Sequence, residues 1–115
     1  MKTPFLKLAY QIVLENMEDE SFDVTTFYQA MAMSRTQLHR RLKAEIRLST
    51  TGFIRYVRIE EAKRLLREGD LSISEIAYAC GFRHISTFNR VFRDSVGMTP
   101  SVYRDLHANG SKNQY

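Results

Sequence analysis

Residues 72–104 read SISEIAYACGFRHISTFNRVFRDSVGMTPSVYR. Ser72, with Glu75 three residues later, makes a capping box in which hydroxyl and carboxylate each satisfy the other residue's amide. Leu71 and Ile76 stand at the two positions of its hydrophobic staple. A short apolar-patterned run follows and breaks at Gly81. A longer helix then reaches about Val96, with Phe88 and Phe92 on one side. Thr99-Pro100 is an N-cap followed by proline at the first helical position, which opens a short last helix. A short capped helix, a tight turn and a longer helix with a basic outer face is the plan of a helix-turn-helix.

The plan occurs twice. Upstream of the turns the offset is 49, pairing Val24 with Ile73, Phe27 with Ile76, Ala32 with Gly81 and Met33 with Phe82. Downstream it is 50, pairing Leu38 with Phe88, Arg40 with Arg90, Leu42 with Phe92, Lys43 with Arg93, Ser49 with Thr99 and Phe53 with Tyr103. The second copy therefore holds one extra residue, inside its second helix or just before it. The first copy has start signals of its own. Asp23 is an N-cap with Phe22 and Phe27 as its staple, and Ser34 with Gln37 is a capping box for a helix to about Ile46 that buries Leu38, Leu42 and Ile46.

Two further helices complete the reading. One runs from about Pro4 to Met17, with Phe5, Leu8, Ala9, Ile12 and Val13 on one face, and the acidic stretch 18–21 ends it. The other is capped by Ser49, covers roughly residues 50–67 and stops near Gly69. At a rise of ~1.5 Å per residue it is about 27 Å long, which suits a linker between units that meet successive turns of DNA about 34 Å apart. No stretch alternates as a half-buried strand does. The expectation is an all-α chain of about seven helices, two helix-turn-helix subdomains joined by a long linker helix. Residues 1–21 form an N-terminal helix and acidic connection, 22–48 the first unit, 49–69 the linker, 70–106 the second unit and final helix, and 107–115 a disordered polar tail.

Composition narrows the function. Among 115 residues the hydrophobic share of 43% supports a packed core. No long apolar run or signal-peptide core is present, so no membrane contact and a cytoplasmic setting are expected. Cys80 is the one cysteine and reads as a small buried apolar residue. His39, His84 and His107 are too dispersed for a metal site, no catalytic pairing or phosphate-binding glycine loop occurs, and neither enzyme activity nor a cofactor is expected. The net charge is +4, concentrated in residues 34–67, which carry ten Lys/Arg against three Asp/Glu. Such an excess fits a polyanion, because phosphate contacts supply most non-specific affinity for DNA. On the linker, Glu60 and Glu61 are placed to pair with Lys63 and Arg64 at the solvated surface.

The two second helices each have an outer face. With Leu38 and Leu42 inward, Thr36, Arg40 and Lys43 lie nearly opposite, with Arg35 and His39 beside them. With Phe88 and Phe92 inward, Ser86, Arg90 and Arg93 point out, and His84 and Asn89 lie at the margin. These residue types suit the major groove, where Arg bridges guanine O6 and N7 and Asn bridges adenine N6 and N7. Charged faces of single helices are commonly just solvated. Two of them, each behind a capped helix and a turn, are more telling.

GFRHISTFNRVFRDSVGMTPSVYR, with Gly81, Phe82, Phe88, Arg90, Phe92, Gly97, Thr99, Pro100 and Tyr103 at their spacing, resembles the C-terminal signature of AraC/XylS-type transcription activators. SISEIAYACGF and MSRTQLHRRLKA (33–44) extend the likeness to about residues 22–105. Together with FIRYVRIEEAKRLL (53–66), the latter is similar to the DNA-binding ends of hybrid two-component regulators. The resemblance implies seven helices, with the helices at about 34–46 and 84–96 in adjacent major grooves. It implies base contacts by Thr36, Gln37, His39, Arg40, Ser86, Thr87, Asn89 and Arg90, and phosphate contacts are expected from Ser34, Arg35, Lys43, Arg83, His84 and Arg93. Three departures from the family bear on geometry. Ala32 and Arg47 stand where glycine is usual, leaving open a different turn and a different helix exit in the first unit, and Arg83 replaces a small polar cap.

Three function classes compete: a sequence-specific binder of double-stranded DNA, a helical protein-interaction module, and a non-specific nucleic-acid or RNA binder. The second requires no affinity for duplex even at low salt. The third requires binding without a sequence ratio, and RNA is disfavoured because the aromatics fall on buried faces. The first is the expected function, as the output domain of a bacterial transcription regulator, with RNA polymerase as partner and dimerisation through a sensor part absent here.

Overall fold

The computed structural model describes residues 3–19 and 21–108; Glu20 in the acidic stretch and the tail from 109 onward lie outside the described residues. Among those described there are seven helices and no strand: α1 (Pro4–Glu15), α2 (Val24–Ala30), α3 (Arg35–Ile46), α4 (Thr50–Glu68), α5 (Ile73–Ala79), α6 (Ile85–Val96) and α7 (Pro100–His107). The fold is all-α. The chain forms two compact units that divide within α4, one up to Arg58 and one from Ile59.

In the first unit α1 starts on Thr3, whose hydroxyl accepts the Leu6 amide, with Pro4 in the first turn. Its buried side chains are Phe5, Leu6, Ala9, Ile12 and Val13. Leu8, expected on that face, is exposed, because the stripe is centred toward Leu6 and Leu8 lies about a quarter-turn off it. The helix also ends at Glu15 rather than Met17. The side-chain amide of Asn16 donates to the Ile12 carbonyl at 2.8 Å and takes over one of the last carbonyls. Three contacts bind α1 to its neighbours: Thr3 Oγ1 donates to Glu45 Oε1 (2.6 Å), Arg41 lies over the Phe5 ring (4.5 Å), and Tyr10 meets Tyr56 edge-on (6.4 Å).

Asp23 caps α2, and the Phe22–Phe27 staple closes with ring centroids 5.8 Å apart. Thr26 completes a capping box there, a partner the sequence pattern did not flag. Ser34 and Gln37 form the expected box on α3, and Leu38 and Leu42 are fully inaccessible. Ile46 is only half-buried, at the last position of α3 where the chain turns away. Ser49 Oγ accepts the Gly52 amide at the start of α4. Phe53 then stacks on Phe27 at 6.1 Å, over a core that includes Val13 and Val57.

The second unit repeats this plan with its own packing. Ser72 and Glu75 cap α5, Thr99 caps α7, and Phe82, Phe88, Phe92 and Tyr103 pack in sequence with centroids 5.2–5.8 Å apart. Cys80 is buried with Ile76 and Ala77. Arg67 Nη1 donates to the Tyr103 hydroxyl at 3.0 Å, and Arg104 donates to the Leu71 carbonyl. The last helix runs one residue past the expected limit of 106, because the His107 ring stacks on Tyr103 at 4.2 Å. Ala108 behind it is buried.

The repeat fixes the place of the extra residue. α2 and α5 are offset by 49 and α3 and α6 by 50, so the insertion lies in the turn, where Arg83 precedes the N-cap His84. Both turns are Schellman motifs. Met33 and Ala32 amides donate to the Tyr28 and Gln29 carbonyls, and Phe82 and Gly81 amides donate to Ala77 and Tyr78. Ala32 is left-handed (φ 57°) like Gly81 (φ 89°), and Arg47 (φ 62°) like Gly97 (φ 91°). The departures at Ala32 and Arg47 thus leave the backbone route unchanged.

Candidate nucleic-acid interface

Each recognition-type helix is held from behind by buried side chains, Leu38 and Leu42 for α3 and Phe88 and Phe92 for α6, so its outer face is presented on a packed element. On α3 the side chains of Ser34, Arg35, Thr36, Gln37, His39, Arg40 and Lys43 are exposed. On and before α6 Arg83, His84, Ser86, Asn89, Arg90 and Arg93 are exposed and Thr87 is half-buried. Two residues are already engaged: Gln37 Oε1 accepts the Ser34 amide (2.9 Å) and Ser34 Oγ accepts the Gln37 amide (3.1 Å). Gln37 thereby keeps its NH2 group, and Ser34 its hydroxyl hydrogen, as donors. His84 gives α6 no side-chain cap.

Ion pairing sorts the basic residues of 34–67. Lys63 pairs with Glu60 (3.0 Å) and Arg64 with Glu61 (2.6 Å), as the sequence spacing suggested, and Arg64 also pairs with Glu68 (2.5 Å). The Arg64 guanidinium is held firmly charged, chiefly by its hydrogen bonds to Glu61. Arg41 is taken by Glu45 (2.6 Å). The Glu45 carboxyl sits below its ordinary range because Thr3 and then Arg41 hydrogen-bond it. Among the described residues Arg35, Arg40 and Lys43 on α3, and Arg90 and Arg93 on α6, form no ion pair, so both outer faces carry uncompensated charge, as do Arg47 and Arg55 between them in sequence. Among the described residues no cluster of three metal-ligating side chains exists, and no helix is long and apolar enough to cross a membrane.

One polar residue escaped the sequence reading. Thr50, in the first turn of α4, is a buried polar residue, 5% exposed, and borders a recess with Arg35, Thr36 and His39. Nothing in its local pattern marks it, since the recess is lined from α2, α3 and the start of α4.

The sequence pattern of the helix-turn-helix domain matches residues 28–105. The chain belongs to the AraC-type helix-turn-helix family. It is thus a DNA-binding domain of transcription regulators. This AraC-type domain is 36% identical over 103 residues to histidine kinase P4 of Formosa agariphila, covering 90% of the chain and 8% of the kinase. It is 31% identical over 107 residues to the transcriptional activator NphR of a Rhodococcus species, covering 93% of the chain and 32% of NphR. Among solved structures it is similar to the DNA-binding domain of AdpA in complex with a target DNA, with a TM-score of 0.78, 29% identity and coverage of 99% and 100%. The chain therefore spans a third or less of these curated relatives' length.

Proposed function

We propose that α3 and α6 read base edges in adjacent major grooves of duplex DNA. Arg40 and Arg90 take guanine, Asn89 takes adenine, and Thr36, Gln37, His39, Ser86 and Thr87 supply further base contacts. Ser34, Arg35, Lys43, Arg83, His84 and Arg93 hold phosphates on either side, which positions the helices without reading sequence. The observation that carries this reading is the equivalence of Arg40 and Arg90. They stand 50 residues apart on matching helices, both exposed and, among the described residues, without an ion pair. A protein-interaction surface would not require two such arginines at one register.

The domain serves as the output of a larger cytoplasmic regulator, its work binding rather than catalysis. A hybrid sensor-regulator fits the likeness to a histidine kinase of which this chain spans 8%. RNA polymerase is the protein partner, and dimerisation falls to the sensor part. Selection from a random duplex library tests the reading: it should enrich one asymmetric motif with guanines in both halves. Enrichment of no motif would leave only non-specific binding.

A further inference from the structure

A second recess lies on the other flank of α3 and continues the face that carries Arg40. It is lined by Ala32 and Met33 of the turn and by Gln37, Arg40, Arg41 and Ala44 of α3, and its volume is about 480 Å³. Ala32 and Ala44 are exposed and Met33 is half-buried, so apolar carbon meets solvent between polar side chains. Arg41 is a fixed wall, held by Glu45 at 2.6 Å and lying over the Phe5 ring at 4.5 Å. None of the six lining residues is acidic.

This mixture matches one base edge. In the major groove thymine shows its O4 acceptor beside the C5 methyl group, whereas cytosine shows an amine donor and no methyl. Gln37 Oε1 is occupied by the Ser34 amide at 2.9 Å, which leaves the Gln37 NH2 group as the donor for O4. Ala32, Met33 and Ala44 supply the apolar surface for the methyl. Ala32 also carries a cost that packing does not explain. Its left-handed φ of 57° disfavours a Cβ, yet its side chain is exposed and adds nothing to the core.

The second unit is an internal comparison. At offsets of 49 and 50, Ala32, Met33, Gln37 and Ala44 become Gly81, Phe82, Thr87 and Asp94. Gly81 makes the same turn without a methyl group. Phe82 is buried against Phe88 with ring centroids 5.2 Å apart, and Asp94 puts an exposed carboxylate where Ala44 has a methyl. Arg40 and Arg90 are matched, so the difference is confined to the surface beside the arginine.

Resting on the proposed reading of duplex DNA by α3, we infer that the first unit alone carries a thymine-specific subsite. Ala32, Met33 and Ala44 hold the C5 methyl, and Gln37 donates to O4, next to the guanine taken by Arg40. The methyl of Ala32 is then retained for recognition at the expense of turn stability.

The whole chain is titrated with its selected duplex and with duplexes in which each thymine in turn is replaced by deoxyuridine, which removes the methyl and nothing else. One replacement in the first half should weaken wild-type binding roughly fourfold, the worth of one buried methyl group. Ala32→Gly should raise the unfolding midpoint and yet bring that thymine-to-uracil ratio close to one, a combination that a purely structural residue would not give. Ala44→Asp, an exposed change to the residue of the second unit, should also bring the ratio close to one. An unchanged ratio in either variant would overturn the subsite, because the methyl would then be sensed elsewhere. Absence of any uracil cost in the first half, with the duplex still bound, would overturn it and leave the reading of DNA intact. An equal cost in the second half would refute its restriction to the first unit. Failure of the wild type to bind any duplex would remove the subsite together with the reading beneath it.

Discussion

Ala32 and Gly81 hold the same post in the two turns, 49 residues apart, both left-handed and both donating to the carbonyl three residues back. The second pair of left-handed posts, Arg47 and Gly97, follows at an offset of 50. In each pair the first unit uses a residue with a Cβ near the left-handed minimum of about +57°, and the second uses glycine some 30° further on.

A left-handed residue with a Cβ costs roughly 1 kcal/mol. Ala32→Gly and Arg47→Gly should therefore each stabilise the domain, by less than about 1 kcal/mol because glycine also loosens the unfolded chain. Gly97→Ala should cost about 1 kcal/mol or more, from backbone strain alone, since a Cβ there meets nothing within 4 Å. Gly81→Ala should lose a similar amount. Urea midpoints of the four variants check this; a lower midpoint for Ala32→Gly would show that the turn is not strained.

Arg67 is a structural residue of the second unit rather than a free charge. Its bond to the Tyr103 hydroxyl is half-buried, so Arg67→Ala should lower stability by about 1 kcal/mol. Tyr103→Phe should cost a comparable amount, and the double variant should lose less than the sum. Additive losses in a double-mutant cycle would mean the pair is incidental.

Acid should act on the caps and on the α1 strap. The Asp23 carboxyl is lowered below 3.8 chiefly by the Thr26 amide, and Glu75 below 4.5 chiefly by the Ser72 amide. Glu45 is lowered likewise by Thr3 and Arg41. A carboxyl depressed in the folded state adds stability that is complete above its unfolded value and lost as pH falls through its folded value. Stability should thus hold from pH 7 to about 5 and fall below about 4. Glu45→Gln should flatten that fall, and an unchanged slope would remove Glu45 from the account.

What could be read from the sequence was what is local. The Ser34–Gln37 and Ser72–Glu75 boxes and Thr99-Pro100 are settled by residues one to three apart, and the pairs Leu38–Leu42 and Phe88–Phe92 by helical period. Thr26 was missed because its hydroxyl closes the box where Glu or Gln usually does. Leu8 was misplaced because the buried stripe of α1 is set by what packs on it. Bonds such as Thr3–Glu45 and Arg67–Tyr103 join residues 42 and 36 apart and leave no local mark. The Thr50 recess was hidden for the same reason. The exposed faces of α3 and α6 were legible, being the remainder once the apolar period is removed.

On those faces Arg40 and Arg90 should discriminate rather than merely attract. Arg40→Ala and Arg90→Ala should each lose about 1–3 kcal/mol at one base pair and little on random duplex. Equal losses on selected and random DNA would make both phosphate contacts.

The most direct measurement is a hydroxyl-radical footprint of the 115-residue chain on its selected duplex. One monomer carrying two different reading helices should protect two patches about one helical turn apart, with no palindrome between them. Arg40→Ala should weaken one patch and Arg90→Ala the other. A single patch per monomer, or a symmetric site filled by two copies, would contradict the claim that both helices read DNA.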